Sequence, residues 1–317
     1  MSEYCIELDH ITKKFGSFTA VSDMSLKLEP GKVYGIVGPN GAGKSTTMAM
    51  ITGSLFPSEG NGKVFGHPLA SPQALKLLGY SPEFTSFYSD MSCSEYLWYM
   101  GCLEGLSSKE AAKRTAELLE QFELKDHKDR KVAKFSTGMK KKVSLAQAMI
   151  HRPKVLLLDE PTANLDPTSR QEILDTVRKM VSEEHLTVLI SSHVLTELET
   201  VINHVLMIDH GRLILDAPLH EAQEMFRQGV LHVSSSDDEK LLSELSGYKA
   251  EKTEGGLRIR TSEMDALKKD IVRIVYTEGL TLNSLSEEVL SLDSLYKQMM
   301  EGKEDVRDTQ ENAPGNA

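Results

Sequence analysis

The segment "GPNGAGKS", Gly38 to Ser45, constrains this chain more than any other stretch. It follows the apolar run "VYGIV" and opens a segment with helical spacing, so a strand, a glycine-rich turn and a helix come in direct succession. Glycines allow successive backbone N–H groups to turn inward around phosphate oxygens, and the helix N-terminus adds partial positive charge. In this reading Gly38, Pro39, Asn40, Gly41, Ala42 and Gly43 form the cradle. Lys44 reaches the β- and γ-phosphates as a point charge, the Ser45 hydroxyl ligates Mg²⁺, and Thr46 assists beside it.

Phosphate chemistry also needs a carboxylate for the metal and a group to orient or deprotonate water. "VLLLDE" supplies both at the end of an apolar strand, where ligands of open α/β sheets collect. Asp159 is the expected metal-side acid, acting directly or through a bound water, and Glu160 the expected general base. His193 ends another apolar strand, "VLISSH", and is placed to reach the γ-phosphate from the same sheet edge.

With 36 basic and 47 acidic residues among 317, the net charge of −11 opposes broad electrostatic capture of nucleic acid or of an anionic membrane surface. Cys5, Cys93 and Cys102 have neither metal-ligand spacing nor an even count, so they are expected to be free thiols in a reducing compartment. The acidic, alternating N-terminus "MSEYCIELDH" reads as a strand start, and no apolar run reaches the length of a membrane span.

Alternation predicts strands in "IELDHITKKF" and on both sides of a Pro30-Gly31 turn in "SLKLEPGKVYGIVG". Between Met91 and Met149 the texture is helical. Two Ser-x-x-Glu capping boxes, Ser92–Glu95 and Ser107–Glu110, open helices, the second with Ala112, Ala116, Leu119 and Phe122 on one face. "VLLLDE" and "TVLISSH" flank a helix and predict a βαβ unit, and "HVLMIDHGRLI" predicts an edge hairpin. Beyond Pro218 the predicted order is βαββαβ, a split-βαβ, ferredoxin-like module, followed by a helix in "SLDSLYKQMM" and a polar disordered tail.

Taken together, these residues resemble the nucleotide-binding subunit of ABC transporters over roughly residues 3 to 217. "KKFG", "GPNGAGKST", "GYSPE", "FSTGM", "LLLDEP", "NLD" and "SSH" occur in that family's order. The resemblance implies an α/β P-loop NTPase (ABC ATPase) core with antiparallel β and helical subdomains, plus the small C-terminal α+β (ferredoxin-like) domain. The expected boundaries are 1–217 for the ATPase, with its helical part at about 84–150, then 218–302, then a tail at 303–317. Phe15 would stack on adenine, and Glu83 stands where the family usually has Gln in a loop contacting metal or attacking water. Asp166 matches the acid of a loop crossing between subunits, although Asn164 replaces a small residue.

"FSTGM" matches the family's signature, usually Leu-Ser-Gly-Gly-Gln, with Phe135, Thr137 and Met139 as departures. Ser136, Thr137 and Gly138 would bind the γ-phosphate of a second copy. A β-branched Thr137 does not adopt positive φ cheaply, so the expectation is an extended backbone there or a looser phosphate approach. The competing reading of this stretch is a plain capped helix with Lys140, Lys141 and Lys142 in solvent.

The resemblance implies an ATP- and Mg²⁺-dependent ATPase that works as an ATP-sandwich homodimer on a separate integral membrane permease, at the cytoplasmic face, with no nucleic-acid partner. The C-terminal region resembles that of many ABC-2 export ATPases, and "NSLSEEVLSL" resembles their Ser-Leu-Glu-x-Val-Phe segment. Two alternatives stay open: a soluble ABC ATPase acting on ribosome or DNA, and a weakly hydrolysing regulatory subunit.

Overall fold

A computed structural model describes residues 3–192, 195–225, 229–245, 247–261, 263–288 and 296. The chain forms two compact units, Met1–Leu219 and His220–Ala317.

In the first unit, β1 (Ile6–Phe15) and β2 (Phe18–Leu28) pair antiparallel across a turn at Gly16. The segment from Leu28 to Val33, with Pro30 and Gly31, then carries the chain into a different sheet at β3 (Val33–Val37). The Pro-Gly signal thus marks a crossing between sheets, because the all-buried β3 needs parallel neighbours on both sides. Next come α1 (Lys44–Ile51), β4 (Glu59–Val64), β5 (His67–Pro68), α2 (Pro72–Leu75) and β6 (Leu78–Ser81).

Helices follow: α3 (Cys93–Leu103), α4 (Ser108–Gln121) and α5 (Thr137–Ala148). Both capping boxes form reciprocally, Ser92 with Glu95 at α3 and Ser107 with Glu110 at α4. The buried face of α4 keeps the expected Leu119 and, at its C-cap, Phe122, but not Ala112 and Ala116. Ala112 and Ala116 are exposed, while Ala111, Arg114, Thr115, Leu118 and Leu119 are buried. Arg114 joins Ala111, Leu118 and Leu119 on that face because its side chain is buried and donates to the Met149 carbonyl at 3.0 Å.

The remaining elements of this unit are β7 (Val155–Leu158), α6 (Pro167–Glu184), β8 (Thr187–Ser191), α7 (Leu195–Leu198), β9 (His204–Asp209) and β10 (Arg212–Pro218). β7, α6 and β8 make the predicted βαβ unit, with β7 and β8 adjacent and parallel. β9 and β10 make the predicted antiparallel hairpin at one sheet edge. The large sheet has the order β10-β9-β3-β8-β7-β6, and the small antiparallel sheet β2-β1-β4-β5.

Met48, Met50 and Ile51 of α1 join Ile11, Met24 and Leu28 of the small sheet and Ile36, Leu157 and Leu206 of the large one in a single buried cluster. Each such fully buried side chain contributes about 1.5–3 kcal/mol. Packing from both sheets therefore fixes the helix that follows the glycine-rich turn.

The second unit contains α8 (Leu219–Met225), β11 (Val230–Ser235), α9 (Asp238–Glu244), β12 (Lys249–Thr253), β13 (Gly256–Arg260), α10 (Met264–Thr277) and β14 (Leu282–Glu287). α8 begins at the last residue of the first unit. The sheet order is β12-β13-β11-β14, every pair antiparallel, over a core of Leu231, Leu241, Leu257, Ile259, Leu267 and Ile271. The helix expected in "SLDSLYKQMM" and the expected tail lie outside the described residues, apart from Tyr296.

Candidate functional site

The turn after β3 is shaped by close backbone contacts at its two ends, Gly38 and Gly43, which leave no room for a side chain there. A Cβ at Gly38 would lie 2.1 Å from the Ile208 carbonyl, and Gly43 has φ 104° with its Cβ position 2.6 Å from the Ala20 carbonyl. Gly43 caps α1 without any side-chain hydrogen bond, so the first backbone N–H groups of the helix are left for a ligand. Pro39, Asn40 and Gly41 are exposed, whereas Ala42 is buried and its carbonyl accepts from Gly211 N–H at 2.9 Å. Ser45 is exposed and Thr46 half-buried, both in the first turn of α1.

Lys44 is buried, and its Nζ donates to the Gly38 carbonyl at 2.8 Å and the Pro39 carbonyl at 3.1 Å. The ammonium is folded back onto its own loop, onto neutral acceptors that a phosphate would outcompete. Burial holds it below the usual lysine range, against the pull of Glu160 and Asp159, so those two carboxylates share its surroundings.

Asp159 and Glu160 are 4% and 8% exposed at the end of the wholly buried β7. One hydroxyl organises both. Ser191 Oγ donates to Asp159 Oδ1 at 2.7 Å and accepts from Glu160 N–H at 2.9 Å. Asp159 N–H donates in turn to the Ser81 carbonyl at the end of β6. Glu160 has φ 48°, a left-handed conformation uncommon for a non-glycine residue, and the Ser191 bond is one of the contacts that hold it there.

The donor set fits Mg²⁺ in a nucleotide complex. Ser45, Asp159 and Glu83 offer only hard oxygens, and no group of three His, Cys, Asp or Glu converges among the described residues. Mg²⁺ accepts such sparse protein ligation because it keeps waters and takes phosphate oxygens.

Phe15 ends β1 opposite Phe18, is 49% exposed, and has Lys13 Nζ 5.3 Å from its ring centroid. The residue is therefore about half open to solvent, with a cation already over its ring. Glu83 lies half-buried in the loop after β6, its carbonyl accepting from Lys141 Nζ at 2.6 Å. His193 lies outside the described residues.

Ser136 is the N-cap of α5, its Oγ accepting from Met139 N–H at 3.3 Å. Thr137 is the first residue of α5 and has no positive φ, so its backbone is helical, not extended as one arm of the expectation had it. At a helix's first residue the dihedrals suit a β-branched side chain, so no glycine is required. Ser136 and Thr137 are exposed, and Gly138 packs against α6, where a Cβ would meet Ser169 Oγ at 3.2 Å. Phe135 fills a buried position beside His127 and Arg130.

The lysines that follow are not a solvated row. Lys142 bridges Glu123 at 2.9 Å and Glu172 at 3.1 Å, and Lys141 is 7% exposed. Asp166 is the N-cap of α6, accepting from Ser169 N–H and Oγ, and Asn164 has φ 62°, a conformation Asn tolerates. Two residues escaped the sequence reading, Ser191 and Lys141. The paired serines of "LISSH" and the unbroken "KKK" were the available signals, and neither distinguishes inside from outside.

A family model described as ABC transporter matches residues 21–163. The Bacillus subtilis ABC transporter ATP-binding protein YxlF is 30% identical over 299 residues, covering 92% of this chain and 98% of its own. Nod factor export ATP-binding protein I of Cupriavidus metallidurans is 35% identical over 218 residues, 68% of this chain and 72% of that one. A solved structure described as the ATP binding subunit of an ABC transporter superposes with a TM-score of 0.63 at 27% identity, over 70% of this chain and 93% of that one. With near-complete coverage of a relative at this identity, the chain belongs to the ABC transporter ATP-binding proteins, the subunits that hydrolyse ATP to drive transport.

Proposed function

We propose that this chain energises export as an ATP-sandwich homodimer, seated at the cytoplasmic face on a separate membrane-spanning permease. The observation that carries this reading is the placement of Ser136 and Thr137. They are exposed at the start of a helix packed on β6, α3 and α6, while the chain's own phosphate cradle begins α1. A second anion-binding helix start has a use when it completes the site of a neighbour.

In each composite site Gly38 to Thr46 hold the triphosphate, Lys44 leaves its carbonyls for the β- and γ-phosphates, and Phe15 stacks on adenine. Ser45, Glu83 and Asp159 would hold Mg²⁺, which would offset the charge of the phosphate oxygens. Glu160 takes a proton from the attacking water, and His193 contacts the γ-phosphate. Ser136, Thr137 and Gly138 close on it from the second copy, and Asp166 lies on the crossing loop. Closure on binding and opening after hydrolysis would drive the permease.

Among the described residues no helix is long and apolar enough to cross a membrane, which supports a separate permease. Its seat in this reading is a cleft of about 330 Å³ lined by Thr52, Leu75, Tyr80, Met100, Gln147 and Ile150. Exposed Trp98 on α3 and exposed Phe84 and Tyr88 in the loop between Glu83 and α3 add apolar surface for such a partner. Export as the direction is supported by the name of the Cupriavidus relative. The βαββαβ order and the sheet order β12-β13-β11-β14 support reading the second unit as a ferredoxin-like accessory domain of the ABC-2 export type.

Glu160→Gln tests the composite site. The variant should lose hydrolysis by about 10²- to 10⁴-fold and accumulate as an ATP-bound dimer on size exclusion. Equal turnover in variant and wild type removes Glu160 as the base, and a monomer at saturating ATP removes the sandwich.

A further inference from the structure

Lys141 is a nearly buried lysine that the proposed chemistry leaves without a task. Its Nζ donates to the Glu83 carbonyl at 2.6 Å and to the Glu160 carbonyl at 3.2 Å, so one ammonium joins α5 to the loops that carry both acids. Ser144, one helical turn on, extends the same face. Its Oγ lies 2.8 Å from Ser81 Oγ and 2.8 Å from Thr85 Oγ1, which grips the Glu83 loop on both sides of that residue. Of these contacts, only Lys141 reaches across to Glu160. Burial lowers the ammonium's pKa, and the facing charges of Glu83, Asp159 and Glu160 oppose that shift.

We infer that Lys141 is a positioning residue that couples the N-terminal end of α5 to the backbone of Glu83 and Glu160. Rigid-body movement of α5, when Ser136 meets a second copy's nucleotide, is then transmitted to the metal-side loop and the base together. A carbonyl bound by an ammonium follows its donor, because a charge-assisted hydrogen bond is stiffer than a neutral one. The inference rests on the roles proposed for Ser136, Glu83 and Glu160. It assigns Lys141 no contact with nucleotide.

Lys141→Met keeps the apolar stem and removes every donor, and Lys141→Arg restores donors that can reach two carbonyls. ATP affinity, kcat and the thermal melt are measured for both, with Lys141→Gln as a milder variant should the Met protein not fold. The Met or Gln variant should lose about 10- to 100-fold in kcat, with ATP affinity within about threefold of wild type, because misplacing a reacting group acts on turnover. Lys141→Arg should recover most of the loss, and Ser144→Ala, which loosens the Glu83 loop alone, should lose less than Lys141→Met.

In a Glu160→Gln background, adding Lys141→Met should leave the ATP-bound dimer intact. The inference is overturned by a kcat within twofold of wild type in the folded Met or Gln variant. It is equally overturned by parallel loss of affinity, melt and turnover without rescue by Arg, or by loss of the dimer in the double variant alone. Failure of wild type to hydrolyse ATP, or of Glu160→Gln to dimerise, would count against the proposed function instead.

Discussion

Ser191 Oγ makes two bonds whose loss has separable consequences. Ser191→Ala strips Asp159 of a donor and leaves the buried Glu160 N–H without the 2.9 Å acceptor that helps hold its φ at 48°. Leaving one such buried group unmade destabilises by about 1–3 kcal/mol, which urea denaturation should show. The relaxed Glu160 should also lower kcat, and a variant with wild-type kcat would mean that other contacts suffice to position the base. At this scale the sequence disclosed the identity of the acids but not their conformation. An acid pair after "VLLL" reads the same whether Glu160 is extended or left-handed. Lys141 was illegible for a related reason: a run of three lysines has one sequence signature, but α5 turns the middle one inward and leaves Lys140 half-exposed.

Helix ends were far more legible than helix faces. Ser92–Glu95 and Ser107–Glu110 form as reciprocal caps because every contact lies within three residues of sequence. Ser107→Ala should therefore destabilise by about 1 kcal/mol without changing ATP affinity, read by a melt beside a binding isotherm. Hydrogen bonds from Ser107 hold the Glu110 carboxyl below its ordinary 4.5. A depressed folded pKa gives a contribution present in full above that value and lost as pH falls through the folded pKa, so the stability gap between wild type and Ser107→Ala should narrow on acidification below 4.5, leaving the part due to the bond from Glu110 N–H to Ser107 Oγ. Convergence at neutral pH instead would contradict the cap. The buried face of α4 was misjudged in part because Arg114 is polar by name, yet its side chain is buried and its guanidinium meets the Met149 carbonyl.

Among the described residues each unit has a hydrophobic cluster made of its own side chains. A fragment comprising 1–219 should consequently fold and bind ATP with an affinity within about threefold of the whole chain, since Gly38 to Ser45, Asp159 and Glu160 all draw on the first cluster's sheets. Loss of binding in the folded fragment would place part of the nucleotide site in the second unit. The sequence by itself determined whatever depends on neighbours in the chain: the glycine turn between strand and helix, the βαβ unit, the edge hairpin and the helix caps. Tertiary structure alone decided that Pro30-Gly31 leads from one sheet into another, that Ser191 joins Asp159 to Glu160, and that Lys141 spans Glu83 and Glu160. Those contacts join residues 19 to 58 positions apart or elements of different sheets, and local propensity carries no record of partners that only packing brings within reach.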